Sequence, residues 1–216
     1  MSREVDIYAA CDRAIKSMDR DCLRDFGKLK LAKWDELQVI RTVKAMYRRE
    51  AKKARQHYYE VAFEAYLLAL GFCGVTGKKA HRMAEDVITD EWLEDILEET
   101  DFVTLYRFKT EAERKAMRLA EALEVAEDRD FEIDKALRYW TQQLAQYAIN
   151  FTDYAVIQAY QDADVEYVKW VSIPDEKRCK ECARLDGQVF RIDEVPSKHP
   201  RCRCRLMPAE KPKDED

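Results

Sequence analysis

The chain has 216 residues, a length that suits one sizeable domain or one domain with a small appendage. Hydrophobic residues make up 47% and charged residues 38% of the sequence, a mixture that is typical of amphipathic helices with solvated faces and that excludes a disordered or a membrane protein. No apolar run approaches the roughly 20 residues that span a bilayer, so we expect a soluble intracellular protein that contacts no membrane.

The net charge of −5 conceals two blocks of opposite sign. Residues 41–55 carry seven basic side chains against one acid, Glu50, and residues 85–101 carry nine acidic side chains and no basic one. Such blocks could contact nucleic acid or a charged partner, but long helices also carry them as solvated faces or as complements of each other. We favour the second interpretation because the acidity of the whole chain disfavours generic nucleic-acid binding.

The part of the chain before residue 173 is predicted to be helical. All five prolines lie after that point, so none removes a backbone donor from an earlier helix. Thr110 and Glu113 form a capping-box pattern that predicts the start of one helix, and Gly71, Gly74 and Gly77 predict an interhelical loop. Hydrophobic residues at three- and four-residue spacing predict the other helices. These span about residues 5–26 (ending near Gly27), 34–70, 78–99 and 131–161.

The pattern becomes β-rich towards the C-terminus. Residues 165–173 predict a strand, residues 188–192 predict a second one, and residues 204–207 offer a third. Gly187 precedes the second strand and suits a turn conformation that other residues adopt only at a cost. A small β-hairpin is therefore predicted to follow the helical body.

The same segment contains five cysteine or histidine residues with a metal-site spacing. Cys179 and Cys182 form a Cys-x-x-Cys turn that can aim two thiolates at one ion, and His199 and Cys202 form a second pair at a similar span, with Cys204 beside them. A four-coordinate zinc ion would close a loop that is too short to fold alone. Because no position is left open for water, we predict a structural rather than a catalytic zinc site.

Other uses of these five residues stay open. A Cys-x-x-Cys pair can be a redox dithiol, although such pairs usually open a helix after a strand in a thioredoxin-like unit, which the surrounding sequence does not show. The cysteines could also form two disulfides in a secreted protein, but no N-terminal apolar signal segment is visible. The third alternative is that the cysteines are free thiols without a role in metal binding or redox chemistry. Zinc binding is the favoured interpretation.

The predicted fold class is mainly α and α+β overall. A multi-helix N-terminal body with long helices precedes a small C-terminal β-hairpin module that is stabilised by metal. The predicted domains are a helical body at residues 1–163, a Cys/His-rich zinc-binding module at residues 164–208 and a polar tail at residues 209–216.

Three motifs follow one another in residues 164–208. A tryptophan-bearing strand leads into the pattern D-x-x-x-C-x-x-C-x-x-L-D-G from Asp175 to Gly187, and the run H-P-R-C-R-C extends from His199 to Cys204. In order and spacing, this segment resembles the C-terminal signature of the tailed-phage head morphogenesis family, the minor capsid family named after the phage Mu F protein. The resemblance covers about a fifth of the chain.

The resemblance implies a function without catalysis. Members of the family are low-copy head proteins that associate with the portal vertex and assist head assembly, DNA packaging or delivery. The implied partners are the portal protein, the major capsid protein or both, with DNA as a further contact. The implied location is the virion, in the capsid interior or at the portal vertex, after assembly in the host cytoplasm.

The resemblance also implies roles for individual residues. All five cysteine and histidine residues of the module become candidate metal ligands, while Asp175, Asp186 and Gly187 would shape the loop. Since zinc needs only four ligands, one of the five would lie outside the first coordination sphere. The favoured ligands are Cys179, Cys182, His199 and Cys202.

Three arginines alternate with the last two cysteines of the module. On an extended segment Arg201, Arg203 and Arg205 would point away from the metal. They could meet DNA phosphates or an acidic patch on a portal subunit, or they could offset thiolate charge or stay solvated.

Two other functions compete with the head protein. The basic residues of 41–55 and the arginines near Cys202 allow a zinc-stabilised nucleic-acid-binding protein. An enzyme is disfavoured because the chain has three histidines, no His-Glu-x-x-His motif and no glycine loop that cradles phosphate. We therefore expect no catalytic residues and no small-molecule substrate.

Overall fold

The computed structural model describes residues 7–32, 36–98, 108–176, 178–196, 198–199, 202 and 204–212. Helices dominate it, and three short strands lie near the C-terminus, so the predicted fold class is confirmed in its mainly α body and small β module. The division at residues 163 and 208 stays a prediction. The helices are α1 (Ala9–Lys30), α2 (Glu36–Phe72), α3 (Gly77–Val87), α4 (Asp90–Glu98), α5 (Phe108–Val125), α6 (Arg129–Asp162) and α7 (Lys180–Leu185), and the strands are β1 (Tyr167–Val171), β2 (Val189–Arg191) and β3 (Arg205–Ala209).

The long helix α2 lies at the centre of the helical body and packs against α1, α5 and α6. Tyr58, near its middle, is fully buried and stacks on Phe151 with ring centroids 5.0 Å apart. Its hydroxyl donates a hydrogen bond to the Leu144 carbonyl at 3.2 Å, and Phe108 packs edge-on against its ring. Burying a large apolar side chain contributes about 1.5–3 kcal/mol, so this aromatic cluster helps to hold α2, α5 and α6 together.

The ends of the first two long helices differ slightly from the prediction. Gly27 lies inside α1 rather than at its end, because the buried side chains of Phe26 and Leu29 extend the packed face of the helix past it. Gly71 belongs to α2, and Gly77 opens α3. The predicted interhelical loop is therefore shorter than the three glycines suggested.

The single helix predicted at residues 78–99 is wrong, because the chain forms two helices there. Thr89 separates α3 from α4, and its hydroxyl accepts a hydrogen bond from the Trp92 backbone N–H at 3.2 Å. Threonine is a good cap because its side chain satisfies an amide that has no partner within the helix. Asp90 and Glu91 then add negative charge at the positive end of the α4 dipole. Residue 99 lies outside the described residues.

The predicted capping box at Thr110 and Glu113 is also wrong. Helix α5 begins at Phe108, so Thr110 already lies in its first turn. A side-chain cap is found instead at the next helix, where Asp128 accepts a hydrogen bond from the Phe131 backbone N–H at 3.0 Å. The pattern at Thr110 matched a general signal, but the buried Phe108 side chain places the start of the helix earlier.

The three strands form one antiparallel sheet in the order β2-β1-β3. Val168 of β1 lies opposite Phe190 of β2 and Pro208 of β3. The strands β1 and β2 pair as predicted, but α7 lies in the connection between them, so they do not form a tight hairpin. A helix of six residues has too few turns to show an apolar period, so the sequence did not predict it.

The basic block of α2 is partly neutralised within the chain. Arg55 lies 3.3 Å from Asp90 and 2.7 Å from Glu94, which belong to the acidic block. Arg49 turns towards α1 and lies 3.1 Å from Asp25. The two blocks thus complement each other and α1, as the favoured interpretation predicts. Within the described part of the chain, no helix is long and apolar enough to cross a membrane.

Candidate metal centre

The loop between β1 and β2 is closed by hydrogen bonds from its backbone N–H groups. Asp186 accepts a hydrogen bond from the Ser172 backbone N–H at 2.7 Å, and the Gly187 N–H donates one to the Trp170 carbonyl at 2.8 Å. Gly187 has a φ of +79°, a conformation that favours glycine. The Asp175 carbonyl accepts a further bond within the loop at 3.0 Å. All three residues thus form hydrogen bonds within this loop, and their loop-shaping role stays a prediction.

Cys179 caps the short helix α7. Its Sγ atom accepts a hydrogen bond from the Cys182 backbone N–H at 3.3 Å, which is the role that serine or aspartate usually has at this position. One turn of helix brings both sulfur atoms to the same ring: Nε2 of His199 lies 3.3 Å from Cys179 Sγ and 3.0 Å from Cys182 Sγ.

The remaining two cysteines approach from the strand side. Sγ of Cys202 lies 3.7 Å from Sγ of Cys182. Zinc bonds of about 2.3 Å to sulfur and about 2.0 Å to nitrogen would place two sulfur atoms about 3.8 Å apart and a sulfur and a nitrogen about 3.5 Å apart. The Cys182–Cys202 separation agrees with this geometry, and the two separations from His199 Nε2 are somewhat shorter. The ligand atoms form two groups of three, with all atoms of a group within 4.8 Å of one another. The groups are Cys179, Cys182 and His199, and Cys182, Cys202 and Cys204.

The five predicted ligands therefore form two groups of three that share Cys182, and each group could hold a metal ion. Burial raises the pKa of Cys182 above its usual range and that of Cys202 to about 11, whereas the hydrogen bond from the Cys182 backbone lowers the pKa of Cys179. A divalent cation would favour the thiolate forms because its charge compensates for the lost hydration. Which four residues bind stays a prediction.

The segment from α5 to β3 is similar to a known protein family. Residues 104–207 match the family described as Phage Mu protein F like protein. The match confirms the resemblance of the C-terminal signature and extends it into α5 and α6, so that it covers just under half of the chain. The Mu F-like family suggests a phage head morphogenesis protein that interacts with other head proteins and associates with the virion. Searches of curated proteins and of solved structures found no match.

A lysine inside the Mu F-like region joins the metal centre to the helical body. Lys198 directly precedes His199, and its Nζ atom donates hydrogen bonds to Asp153 Oδ1 at 2.6 Å, to the Tyr8 hydroxyl at 2.7 Å and to the Cys204 carbonyl at 2.7 Å. The Tyr8 hydroxyl also donates to Asp153. The Lys198 ammonium group thus joins a residue of α6, a residue at the start of α1 and a residue of the cysteine segment.

Neither Lys198 nor Asp153 was predicted as a site residue. The one signal for Asp153 is that an acid lies between Phe151 and Tyr154 in the apolar stripe of α6. A second contact between the helical body and the module also had no signal in the sequence. The buried Tyr160 hydroxyl of α6 donates a hydrogen bond to the Leu206 carbonyl of β3 at 3.0 Å. Both contacts join residues that are more than 40 positions apart.

The predicted arginine contacts divide into two cases. Arg201 and Arg203 lie outside the described residues. Arg205 belongs to β3, is half-buried and has a fully buried Nε atom, so its guanidinium group lies partly against the protein. A contact of any of the three with DNA or a portal subunit stays a prediction.

Proposed function

We propose that this chain is a minor head protein of a tailed phage or prophage, associated with the portal and assisting head morphogenesis, DNA packaging or delivery. The match of residues 104–207 to the Mu F-like family carries this proposal. Its partners are the portal protein, the major capsid protein or both, with DNA as a further contact. It lies in the capsid interior or at the portal vertex after assembly in the host cytoplasm.

We further propose that the metal is zinc and that its role is structural. Thiolate sulfur and imidazole nitrogen are donors that zinc accepts in tetrahedral sites. We expect four of the five candidate donors to fill the four positions of one tetrahedral ion, which would leave none for water or substrate. The favoured ligands are Cys179, Cys182, His199 and Cys202, with Cys204 next to the first coordination sphere.

A structural metal suits the size of this module. The sheet has three strands of three to five residues, and α7 has six residues, so the module has little core of its own. In such small units the free energy of metal binding becomes free energy of folding. A rigid module at the end of long helices gives the protein a surface for contact with other proteins, and this role requires no catalysis.

Ion pairs within the chain count against the nucleic-acid-binding alternative. Arg49 and Arg55, two of the seven basic residues in 41–55, are engaged with Asp25, Asp90 and Glu94 of the same chain. Phosphate contacts would have to replace these ion pairs, which weakens the electrostatic term that drives non-specific binding to DNA.

The proposed function is tested by quantitative mass spectrometry of purified mature and precursor particles. We expect the chain at a few copies per particle, up to about one per portal subunit. A particle fraction washed with high salt is the control for adventitious attachment. Absence of the chain from both kinds of particle would refute the proposal and would leave nucleic-acid binding, with its steep salt dependence, as the next function to measure.

A further inference from the structure

A groove on the surface of the helical body lies between α1 and α6, with the terminal module at one end. Its volume is about 650 Å³, within the range of binding clefts. Ile15 and Leu23 of α1 and Leu137 of α6 contribute apolar side chains, and Ile173 lies at the module end. Leu23 is 58% exposed, so its side chain is accessible from the groove.

The groove has the length of a helix. Helices α1 and α6 run antiparallel, since Lys30 lies 2.7 Å from Asp134 at one end and Tyr8 bonds Asp153 near the other. The lining residues extend along α1 from Tyr8, which directly precedes the helix, to Leu23, a span of 16 residues or about 22 Å. A groove between two antiparallel helices is the place where a third helix packs ridge into groove.

The opposite side of this helix pair is already covered. Helix α2 contacts α1 where Cys22 meets Glu50, and it contacts α6 where Tyr47 packs against Trp140 with ring centroids 5.0 Å apart. Within the described part of the chain, no element covers the groove side in the same way, so Leu23 stays exposed. The pair α1 and α6 thus has one filled and one open packing position.

The two rims of the groove differ in charge. Asp12 and Asp19 lie on the α1 rim, whereas the α6 rim has Arg138 and Asp134, and Asp134 pairs with Lys30 of α1. Asp12 and Arg138 are both exposed, and neither forms an ion pair with any residue that the structure describes. A ligand that complements the groove therefore has an apolar strip with a basic group on one flank and an acidic group on the other.

We propose that this groove docks an amphipathic α-helix of another head protein, with its apolar stripe on Ile15, Leu23 and Leu137, a lysine or arginine beside Asp12 and an acid beside Arg138. This inference rests on the proposed function and adds the surface through which the chain meets its partner. A helix fits better than a second copy of the chain bound face to face, because two concave grooves cannot fill each other.

The test is site-specific photo-crosslinking of the full chain during head assembly. The variant Leu23→p-benzoylphenylalanine places the probe in the groove. Tyr139→p-benzoylphenylalanine is the matched control, since Tyr139 is 56% exposed and lies on α6 outside the groove. We expect the groove probe to crosslink to a helical, amphipathic segment of one other head protein, identified by peptide mapping, and the control probe to give only background.

Four outcomes contradict the docking groove. They are equal products from both probes, a product with a second copy of the chain, a product with DNA, and no product from the groove probe although the chain is in the particle. If the chain is absent from particles, the proposed function fails. If the chain is present but the groove probe gives no product, only the docking groove fails, so the two failures are distinguishable.

Two substitutions complete the test. Leu23→Asp should lower the particle-associated fraction about tenfold or more, because it places a charge on the apolar strip, and circular dichroism must show that the variant is folded. Asp12→Lys should weaken incorporation, and reversing the charge of the mapped basic partner residue should restore it. Normal incorporation of both variants would overturn the proposal.

Discussion

Lys198 and Asp153 form an ion pair at 2.6 Å that fastens the metal centre to α6, with side chains only 8% and 16% exposed. Lys198 also lies 4.8 Å from the centroid of the Tyr8 ring. Burial, followed by the Asp153 carboxylate, raises the pKa of Tyr8, so its hydroxyl stays a proton donor to that carboxylate. The residue beside a candidate ligand is thus also the residue that anchors the module.

Lys198→Met is expected to destabilise the protein by about 3–5 kcal/mol, because it leaves the Asp153 carboxylate buried without its cation. Urea unfolding at pH 7 measures the change. Arg191→Met is the matched control, since Arg191 and Asp193 form a pair in which both side chains are more than half exposed, and its loss should change stability by about 0–1 kcal/mol. Equal effects of the two variants would contradict an anchoring role for Lys198.

Cys182→Ser is expected to abolish metal binding, because Cys182 is the one candidate ligand in both groups of three. Elemental analysis of the purified chain should give about one zinc per chain for the wild type and close to none for the variant. Cys204→Ser should retain the metal if the favoured ligand set is right. Cys73→Ser controls for the loss of a thiol that lies outside the cluster.

Removal of the metal by a chelator is expected to loosen the terminal module before the helical body. Hydrogen exchange should rise over residues 167–209, while amides near the buried Tyr58 in α2 keep their protection. Readdition of zinc should restore the exchange pattern. Unchanged exchange in the module after complete metal removal would mean that the sheet and the Lys198 contacts suffice to hold it.

Glu50→Gln is expected to increase stability at higher pH relative to the wild type. Burial, followed by its hydrogen bond with Asp25, raises the pKa of Glu50, so the folded state keeps a proton that the unfolded state loses near pH 4.3. The stability that Glu50 contributes is therefore present below that pH and is lost as the pH rises through its folded pKa. Glutamine can keep the hydrogen bond without the charge.

Urea unfolding between pH 5 and pH 8 tests this expectation. The difference in unfolding free energy between the variant and the wild type should grow with pH. Asp25 behaves in the opposite sense: burial alone would raise its pKa, but hydrogen bonds from Glu50, Lys28 and Arg49 outweigh burial and lower it. Its contribution is lost only as the pH falls below about 3.9, outside the measured range. If the difference in unfolding free energy between Glu50→Gln and the wild type does not change with pH, the raised pKa of Glu50 is contradicted.

Gly187→Ala is expected to destabilise the module by about 1 kcal/mol, because an L-residue is strained at a φ of +79° although no atom lies within 4 Å of the added Cβ. Gly27→Ala is the control with the opposite sign. It lies inside α1, has equally free space and should stabilise by about 0.5–1 kcal/mol. Thermal unfolding of both variants measures the two effects, and the same sign for both would contradict this account.

Local sequence patterns predicted which segments are helices better than they predicted where each helix begins and ends. The 3.6-residue period of buried side chains located α2 and α6 to within two residues, because each long helix presents one apolar stripe to its neighbours. The period could not show the break at Thr89, since α3 and α4 keep a similar apolar spacing on both sides of it. It could not show α7 either, because one and a half turns are too short for any period.

The sequence by itself determined that the chain is mainly helical and that five metal-ligand residues lie near its end, because helical period and Cys-x-x-Cys spacing are local properties of the chain. Only the tertiary structure decided that the five candidate ligands form two groups that share Cys182, that Lys198 binds Asp153, and that α1 and α6 leave a groove beside Leu23. These features depend on which distant residues pack together, and packing follows from the burial of whole helix faces rather than from spacing along the chain.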